Sequence, residues 1–467
     1  MRFQKTFPVQ KGFLLILAAA VFLTAPGVYA ESSETDTYEG LKLFSDVIAE
    51  LEKNYVEPVD TRELIEEAIH GMVESLDPHS TFMPPEAFED LQSETRGDFG
   101  GIGIVITKED GRLTVVSPIE GTPAYKAGIQ ANDIIIEVEG ESTQDMMLWE
   151  AVKQMRGEPG TELEITVVRE GEPEPLEFTL VRAVIPMESV RHIMLQPGYG
   201  YLWVTNFRDN TTDEVKKALA DLEKSADPLK GLILDLRDNP GGLLTQAVSL
   251  SDVFLAEGRI VSIRGRDQKE ESVYRAEDDN QEPDYPIVVL INGGSASAAE
   301  IVAGALQDND RALVLGTDSF GKGSVQTVRP LRNGYGLKYT VARYYTPKGT
   351  SIQADGIHPD LVVKRRLLDE SAGGLDVRRI KEGDLKNHLP GAKELEQDDQ
   401  ESVPSEGKEG KEDAQTDDET DAQKLMRLRD ALYEHSDRSP DALMLDSQIN
   451  RAYEILRGYE VFSAMDN

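Results

Sequence analysis

Two short apolar runs, 231–236 and 287–291, most constrain what this chain can fold into. Each is followed by a glycine-containing turn and then by a helical pattern, near 243–255 in the first case and near 297–307 in the second. Continuous apolar runs of this kind are typical of strands that are buried on both faces of a parallel sheet. Strands that alternate with helices in this way predict an α/β core, which we place at 184–366.

The composition bounds the number of domains and excludes several classes of function. A chain of 467 residues, 39% hydrophobic and 29% charged, is long enough for at least two cores. The formal net charge of -37 argues against nucleic acid as a partner, because phosphate binding needs clustered lysine and arginine. The absence of cysteine excludes disulfides and thiolate nucleophiles. We expect no cofactor and no metal.

Residues 1–30 have the pattern of a secretion signal. Basic residues precede an apolar run at 12–25, and a small-residue cleavage pattern follows at 28–30. The run is short for a membrane span of ~20 residues. We therefore predict a cleaved signal peptide and an exported, periplasmic protein. The alternative is an uncleaved N-terminal helix that anchors the protein to the outer face of the inner membrane.

Helical patterns flank the core at both ends. Apolar residues recur at helical spacing in an N-terminal region, 31–95, and predict two helices that are broken at Glu57-Pro58. Residues 367–421 are predicted to be an acidic flexible linker. Residues 422–467 form a predicted C-terminal helical segment. We expect its apolar face to pack on another subunit or on the N-terminal helices.

Short strands and turns replace the helical pattern over 96–183, with one helix near 146–155. This segment resembles a PDZ domain, in which a carboxylate-binding loop corresponds here to Phe99, Gly100, Gly101, Ile102 and Gly103. Glycines let consecutive amides turn toward one point and bind a chain-terminal carboxylate while the peptide adds as a strand. The alternative is a plain hairpin or a dinucleotide loop, but no Rossmann-type helix follows.

Ser297 is a candidate nucleophile because of its place between a strand and a helix. It follows the apolar run 287–291 and a glycine turn, and a helical pattern continues from Ala298. Its hydroxyl would lie at a helix N-terminus, where free amides and the helix dipole favour developing negative charge. Taken alone, the position equally fits an ordinary N-cap serine. Spacing alone does not choose between Ser297 and Ser295.

Lys322 is a candidate general base. It stands between two glycines, in a tract where Lys322, Ser324 and Gln326 would share one face of a strand. A lysine acts as a base only when neutral, so it needs burial that lowers its pKa from about 10.4 toward about 7 to 8. Gln326 could orient the amine without adding a charge. The alternative is an exposed turn lysine.

Two neighbouring motifs decide between acyl transfer and other chemistry. Residues 316–323 nearly spell a phosphate-binding P-loop, but glycine stands where Ser or Thr should bind magnesium, so we expect no nucleotide. The turn at 235–242 opens a helix, and the amides of Gly241 or Gly242, together with that of Ala298, could form an oxyanion hole. One such donor typically lowers the activation barrier by ~3 kcal/mol.

His79, in an earlier turn, is predicted to pack in its loop rather than act as a base.

In combination, these segments resemble the carboxyl-terminal processing (tail-specific) proteases from about residue 38 to 363. The resemblance rests on the PDZ segment, the turn at 235–242, the run at 294–308 and Phe320–Gln326. It implies a multidomain α/β fold with a crotonase/ClpP-like ββα peptidase core, an inserted PDZ domain and helical N- and C-terminal segments. It also implies Ser297 as nucleophile, Lys322 as general base and Gln326 as the residue that orients it.

The resemblance further implies a serine endopeptidase that captures apolar C-terminal tails of proteins and cleaves through an acyl-enzyme. Arg182, at the exit of the PDZ domain, is a hypothetical residue coupling tail capture to catalysis. Terminal helices serve such proteases in oligomerisation or in docking an adaptor, so we expect a homo-oligomer and allow for an adaptor protein. The alternative function is a catalytically silent PDZ adaptor or scaffold of the cell envelope.

Overall fold

A computed structural model describes residues 32–109, 111–144, 146–226, 228–267, 271–278, 282–366, 368, 381–385, 388–390 and 440–465. The predicted signal peptide, nearly all of the predicted acidic linker and the beginning of the predicted C-terminal segment lie outside these residues. Contacts divide the chain into two units, Met1–Gly71 and Met72–Asn467. Among the described residues, no helix combines the length and apolar character that crossing a bilayer requires.

Two helices occupy the N-terminal region, as the apolar spacing predicts. They are α1 (Ser32–Asn54) and α2 (Thr61–Glu74), and the break between them contains Glu57-Pro58. Helix α1 keeps large apolar side chains exposed, among them Tyr38 and Leu41. An amphipathic helix normally covers such side chains by packing, and none of the described residues of its own unit covers this face of α1.

A connecting segment leads from these helices into a β-rich domain. The segment consists of β1 (Thr81–Met83), α3 (Pro85–Arg96) and β2 (Asp98–Gly101). The domain follows in the order β3 (Ile104–Glu109), β4 (Arg112–Pro118), α4 (Pro123–Ala127), β5 (Ile134–Val138), β6 (Glu141–Ser142), α5 (Leu148–Met155), β7 (Glu162–Val168), β8 (Leu176–Val181) and β9 (Ala183–Pro186). Every second residue of β7 is buried, which is typical of a strand with one face on a core.

The sheet of this domain has the strand order β3-β4-β5-β7-β8, with β6 paired to β5. Strand β3 therefore lies at an edge. Strands β2 and β9 form a separate antiparallel ribbon in which Asp98 lies opposite Pro186. The chain thus enters and leaves the domain at one place.

The α/β core contains the remaining strands and three helices in the order β10 (Val190–Gln196), β11 (Tyr199–Val204), α6 (Thr211–Ser225), β12 (Gly231–Asp235), α7 (Leu244–Asp252), β13 (Arg259–Gly265), β14 (Glu271–Arg275), β15 (Ile287–Ile291), α8 (Ala298–Asp308), β16 (Ala312–Gly316), β17 (Ser324–Pro330), β18 (Gly336–Tyr345) and β19 (Leu361–Val362). Its main sheet has the order β10-β11-β12-β15-β16-β19 and is parallel from β11 onward. A second, antiparallel sheet has the order β1-β18-β13-β14, with β17 also paired to β18.

The apolar runs of the sequence become the central strands of the main sheet. Strands β12 and β15 are buried at every position, and they pair in parallel. Helices α6, α7 and α8 contribute to one continuous apolar cluster with these strands, including Leu234, Val289 and Ile301. The prediction of an α/β core is confirmed, because the central strands β12 and β15 pack against helices, as buried parallel strands require.

The C-terminal helices α9 (Pro440–Leu443) and α10 (Ser447–Met465) cover the opposite face of the main sheet. Ile449, Ala452 and Leu456 are buried in an apolar cluster with residues of β11, β12 and β15. The prediction that this segment packs on another subunit or on the N-terminal helices is wrong for its buried face. The physical reason is that the main sheet has two apolar faces, and α6, α7 and α8 cover only one of them.

A buried ionic network fixes the start of α10 on the core. The Arg237 guanidinium is fully buried and lies 2.6 Å from Asp235 Oδ2 and 2.9 Å from Asp446 Oδ2. It also donates to Gln448 Oε1 at 2.7 Å. A buried charge is tolerated only when such partners satisfy it. The turn that follows β12 and the beginning of α10 are therefore tied to each other.

Candidate active site

A cleft of about 870 Å³ brings together five of the residues predicted from the sequence, namely Ser297, Lys322, Gln326, Gly241 and Gly242. Its walls come from α3, the turn before α7, the start of α8, and strands β17 and β18. A cleft of this volume is in the range that binds small molecules or short peptide segments. The predicted residues thus share one concave site, although they are far apart in the sequence.

The backbone of Ser297 adopts an unusual conformation that presents its side chain at this cleft. Its φ is +54° and its ψ is -111°, a backbone conformation that residues other than glycine rarely adopt. Only 7% of the residue is exposed. A side chain on Gly241 would place its Cβ 2.8 Å from the Ser297 Cβ, so glycine is needed there. Strained backbone at a cleft is a frequent mark of a functional residue.

Ser295, the alternative nucleophile, has a structural role. Its hydroxyl donates to the Leu236 carbonyl at 2.8 Å and accepts the Asn292 amide at 3.0 Å. The residue is fully buried. Because these bonds hold its hydroxyl within the turn, Ser295 is not available to attack a substrate. The geometry therefore favours Ser297.

Tyr344 is a residue of the cleft that sequence reasoning missed. Burial raises the pKa of its phenol well above the usual range, and the nearby Ser297 side chain offsets this only in part. The phenol therefore remains neutral and can act as a hydrogen-bond partner of the serine hydroxyl. No local signal marks it, because it lies on β18 within an ordinary run of strand residues.

The environment of Lys322 favours a neutral amine. Burial lowers the pKa of Lys322, and the nearby charge of Lys338 lowers it further, whereas Glu382, Glu300 and Asp77 act in the opposite direction. Within the part of the chain that the structure describes, no carboxylate lies within 4.0 Å of the Lys322 amine. A partly buried lysine without an ion pair meets the requirement for a general base.

A single carboxylate connects the backbones of Ser297 and Lys322. Glu300 accepts the Ser297 amide at 2.7 Å and the Lys322 amide at 3.0 Å on Oε2. Its Oε1 accepts the Gly321 amide at 2.8 Å and the Ser319 hydroxyl. Burial raises the pKa of Glu300 to about 7, although these hydrogen bonds favour the ionised form. Sequence reasoning missed Glu300, yet the Ser-x-x-Glu spacing of a capping box could have found it.

Gln326 lies in the cleft but does not contact the lysine amine in this structure. Its Nε2 donates to Ser324 Oγ at 2.8 Å and to Thr340 Oγ1 at 3.4 Å. None of the hydrogen bonds found in the described ranges joins Gln326 to Lys322, or the Ser297 hydroxyl to the Lys322 amine. The role of Gln326 in orienting the amine stays a prediction.

The predicted oxyanion hole needs one correction. The Gly241 amide donates to Asn239 Oδ1 at 2.8 Å, so it is occupied within its own turn. No hydrogen bond among the described residues uses the amides of Gly242 or Ala298. Gly241 instead allows close approach, since its α-carbon is adjacent to the first turn of α8. Of the predicted donors, Gly242 and Ala298 remain.

The predicted carboxylate-binding loop is divided between two structural elements. Phe99, Gly100 and Gly101 belong to β2 and pair with β9, so they form part of the connecting ribbon. Only Ile102 and Gly103 form the turn that leads into the edge strand β3. Binding of a chain-terminal carboxylate by residues 99–103 stays a prediction.

Comparison with known proteins identifies the family. The model of Peptidase family S41 matches residues 198–363, that of the PDZ domain matches 100–180, and that of the activating protease CtpB N-terminal domain matches 24–87. A carboxy-terminal-processing protease of Bartonella bacilliformis is 45% identical over 82% of this chain and 89% of its own length. The chain belongs to this family of proteases.

Other carboxy-terminal processing proteases are similar at lower identity. The carboxy-terminal processing protease CtpA of Bacillus subtilis is 35% identical over 77% of this chain and 78% of its own length. Among solved structures, a photosystem II D1 C-terminal processing protease is 33% identical, with 70% of this chain and 88% of that chain covered and a TM-score of 0.41. The predicted serine-type peptidase with a PDZ domain is confirmed.

In this S41 protease, Arg182 lies at the junction between the PDZ domain and the exit ribbon. Its guanidinium donates to the carbonyls of Gln154 at 2.8 Å and Met155 at 3.3 Å, at the end of α5. It also donates to Thr161 Oγ1 and to the Glu162 carbonyl. A cation here satisfies the free carbonyls of the helix end. Arg182 therefore ties α5 to the exit strand, and its coupling role stays a prediction.

Proposed function

We propose that the protein is an exported endopeptidase that cleaves protein substrates with Ser297 as nucleophile and Lys322 as general base. The observation that supports this most strongly is the Glu300 carboxylate, because it joins the strained backbone of the serine to that of a partly buried lysine. One anchor for both residues keeps their separation fixed while the hydroxyl and the amine react.

In the proposed mechanism, the neutral amine of Lys322 takes the proton of the Ser297 hydroxyl while Oγ attacks the scissile carbonyl carbon. The resulting oxyanion is stabilised by the amides of Gly242 and Ala298. Collapse breaks the C–N bond, and the Lys322 ammonium gives its proton to the leaving amine. Water then attacks the acyl-enzyme, Lys322 accepts a proton from it, and the serine leaves with that proton.

We further propose that the PDZ domain captures apolar C-terminal tails. Among the described strands, its edge strand β3 pairs only with β4, and Met147, Leu148 and Trp149 are exposed at the N-terminal end of α5. A peptide that adds to such an edge gains main-chain hydrogen bonds, while its side chains contact the neighbouring helix. Strand β17, which pairs only with β18 among the described strands, would accept the scissile segment in the same way.

Export and assembly complete the proposal. The signal pattern at 1–30 supports a periplasmic location. Exposed apolar side chains on α1 and, at the end of α10, of Tyr459, Phe462 and Met465 support a homo-oligomer or the docking of an adaptor. An analysis of the oligomeric state of the secreted form, with and without residues 32–54, tests this part.

Cleavage of an unstructured protein with an apolar C-terminus tests the mechanism. The secreted form is compared with Ser297→Ala and Lys322→Ala across about pH 6 to 10, which brackets a lowered lysine pKa. We expect both substitutions to reduce the rate at least about a thousandfold. If the Lys322→Ala variant cleaves at the wild-type rate, the lysine has no part in the mechanism. A wild type that stays inert with tail peptides added would favour the silent PDZ adaptor.

A further inference from the structure

Two segments outside the main sheet meet beside the Lys322 loop, which we define as residues 320–323. His79 lies in the turn before β1, and Glu382 begins a short 3₁₀ turn, Glu382–Asp384, that follows the core. His79 Nε2 lies 2.7 Å from Glu382 Oε2 and 2.9 Å from Oε1. The Glu382 side chain is fully buried and that of His79 is 15% exposed, so water screens this pair little.

Contacts continue from this pair to the backbone of the loop. Gln353 Nε2 donates to Glu382 Oε1 at 3.0 Å, and Gln353 Oε1 accepts the Gly323 amide at 3.1 Å. The Glu382 amide donates to the Phe320 carbonyl at 3.1 Å. Both ends of the Lys322 loop are thus attached to the same buried carboxylate residue, one directly and one through an amide side chain.

The Lys322 loop and the backbone of Gln353 are tightly packed against each other. A Cβ on Gly323 would lie 2.4 Å from the Gln353 amide nitrogen, so the loop is in direct contact with the backbone that holds it. The Ala354 amide also donates to the Gly321 carbonyl at 2.8 Å. A displacement of Gln353 is therefore transmitted to the residue next to Lys322.

We propose that His79 and Glu382 are positioning residues for Lys322, and that the hydrogen-bonded contact between them must be formed for the lysine amine to meet Ser297. This inference rests on the proposed function. It assigns a role in the reaction to the turn before β1, which precedes the PDZ domain in the chain. Activity then requires that the turn containing His79 and the turn at 382–384 are both packed as they are in the structure.

The charge of the Glu382 carboxylate also affects the pKa of Lys322, and a purely structural contact would not have this effect. Burial alone would raise the pKa of Glu382, but hydrogen bonds from His79 and Gln353 outweigh it and hold the pKa below the usual range. The carboxylate is therefore ionised and favours the proton on Lys322. The other charged groups that face Lys322 are Lys338 on β18, Glu300 on α8 and Asp77 in the same turn as His79.

The test uses the full-length protease with His79→Ala, His79→Gln and Glu382→Gln. The matched control is His358→Asn, because His358 forms a comparable pair with Asp318 at 3.0 Å but is mostly exposed. We expect His79→Ala and Glu382→Gln to lower kcat about 10- to 100-fold with little change in KM, as a small misplacement of a catalytic group does. His79→Gln keeps a donor and should recover part of the loss. The control should retain the wild-type rate.

Two further readouts separate positioning from folding. Glu382→Gln removes a negative charge near Lys322, so the rising limb of its pH–rate profile should move to lower pH. Loss of structure alone would reduce the rate by one factor at every pH. Deuterium exchange at 320–326 should be faster in His79→Ala and Glu382→Gln than in the control. If His79→Ala does not fold, His79→Gln and Glu382→Gln give the same comparison.

The outcomes are distinct for the two proposals. Folded variants with wild-type kcat, an unmoved pH limb and unchanged exchange would overturn the positioning role while leaving the Ser297/Lys322 mechanism intact. A wild type that does not depend on Lys322 would overturn the mechanism itself. Equal losses in His79→Ala and His358→Asn would show that the pair contributes no more than a surface contact, and would also overturn the inference.

Discussion

At the scale of single residues, the site depends on groups to which the proposed mechanism gives no chemical step. Glu300 accepts hydrogen bonds from both sides of the cleft, and Gly241 allows the start of α8 to approach the preceding turn. Each works by fixing a backbone rather than by reacting. The consequence is that the catalytic geometry is set by main-chain contacts, which a change in a reacting side chain leaves in place.

Substitution of Glu300 by glutamine should destabilise the protein, because the amide places donor hydrogens against backbone donors. We expect a loss of about 1 to 3 kcal/mol in the free energy of unfolding at about pH 8. Urea unfolding measures it, with Glu454→Gln on the exposed side of α10 as a control that should change by less than about 0.5 kcal/mol.

The pH dependence of this loss follows from the raised pKa of Glu300, about 7 compared with an ordinary 4.5. A carboxyl whose folded pKa is raised contributes stability below its unfolded pKa and loses it as pH rises through about 7. Glutamine does not titrate. The difference between wild type and Glu300→Gln should therefore widen from about pH 8 to about pH 5. A difference that narrows toward low pH would contradict the assignment.

At the scale of elements, α10 is part of the peptidase core. Leu456 is 1% exposed, and its side chain lies against Gly231 at the start of β12, where a Cβ would be 3.2 Å away. The helix therefore closes the face of the main sheet that α6, α7 and α8 leave open. A change that weakens the packing of α10 should therefore also lower the free energy of unfolding of the core.

Leu456→Ala should lower the free energy of unfolding by about 2 to 5 kcal/mol, the usual loss for a buried leucine. Phe462→Ala on the same helix is the matched control, because Phe462 is 70% exposed. Thermal and urea unfolding of the two variants measure the difference. Equal effects of the two substitutions would show that α10 does not pack on the core in solution.

The elements of the core could be predicted because β12 and β15 are continuous apolar runs with glycine turns after them. The surface on which α10 packs could not be predicted from the sequence, because an apolar helix face does not indicate which of several apolar surfaces it covers. Local motifs indicate Lys322 and either Ser295 or Ser297, and the resemblance to the protease family selects Ser297. The contact of His79 with Glu382 joins residues 303 positions apart, and no local pattern records such a pairing.

At the scale of the whole molecule, the PDZ domain and the peptidase core are separate domains of one unit. The PDZ sheet and the peptidase sheets share no strand, and β2 and β9 link them. Helix α3, which precedes β2, contributes Leu91 and Thr95 to the wall of the cleft. We expect any coupling of tail binding to catalysis to run from the ribbon through α3 to the active site.

Arg182→Ala should reduce the stimulation of cleavage by tail peptides, because it frees the end of α5 from the exit strand. Basal cleavage of a short unstructured substrate should stay within about twofold, and the stimulated rate should fall several-fold, as for coupling energies of about 1 kcal/mol. Steady-state rates with and without a tail peptide measure this. Arg169→Ala is a comparison, since it breaks a PDZ ion pair with Asp133 away from the exit strand. Unchanged stimulation in Arg182→Ala would remove it from the coupling route.

The pairing of Asp98 with Pro186 has a consequence for how such a molecule can be rebuilt. Because the ends of the PDZ domain lie side by side, its removal would leave a gap that a short hairpin could close, and the course of the peptidase chain would not change. A different recognition module with neighbouring termini could be inserted there. If the PDZ domain selects substrates as proposed, such an exchange would change which substrates are cleaved and would leave the peptidase core intact.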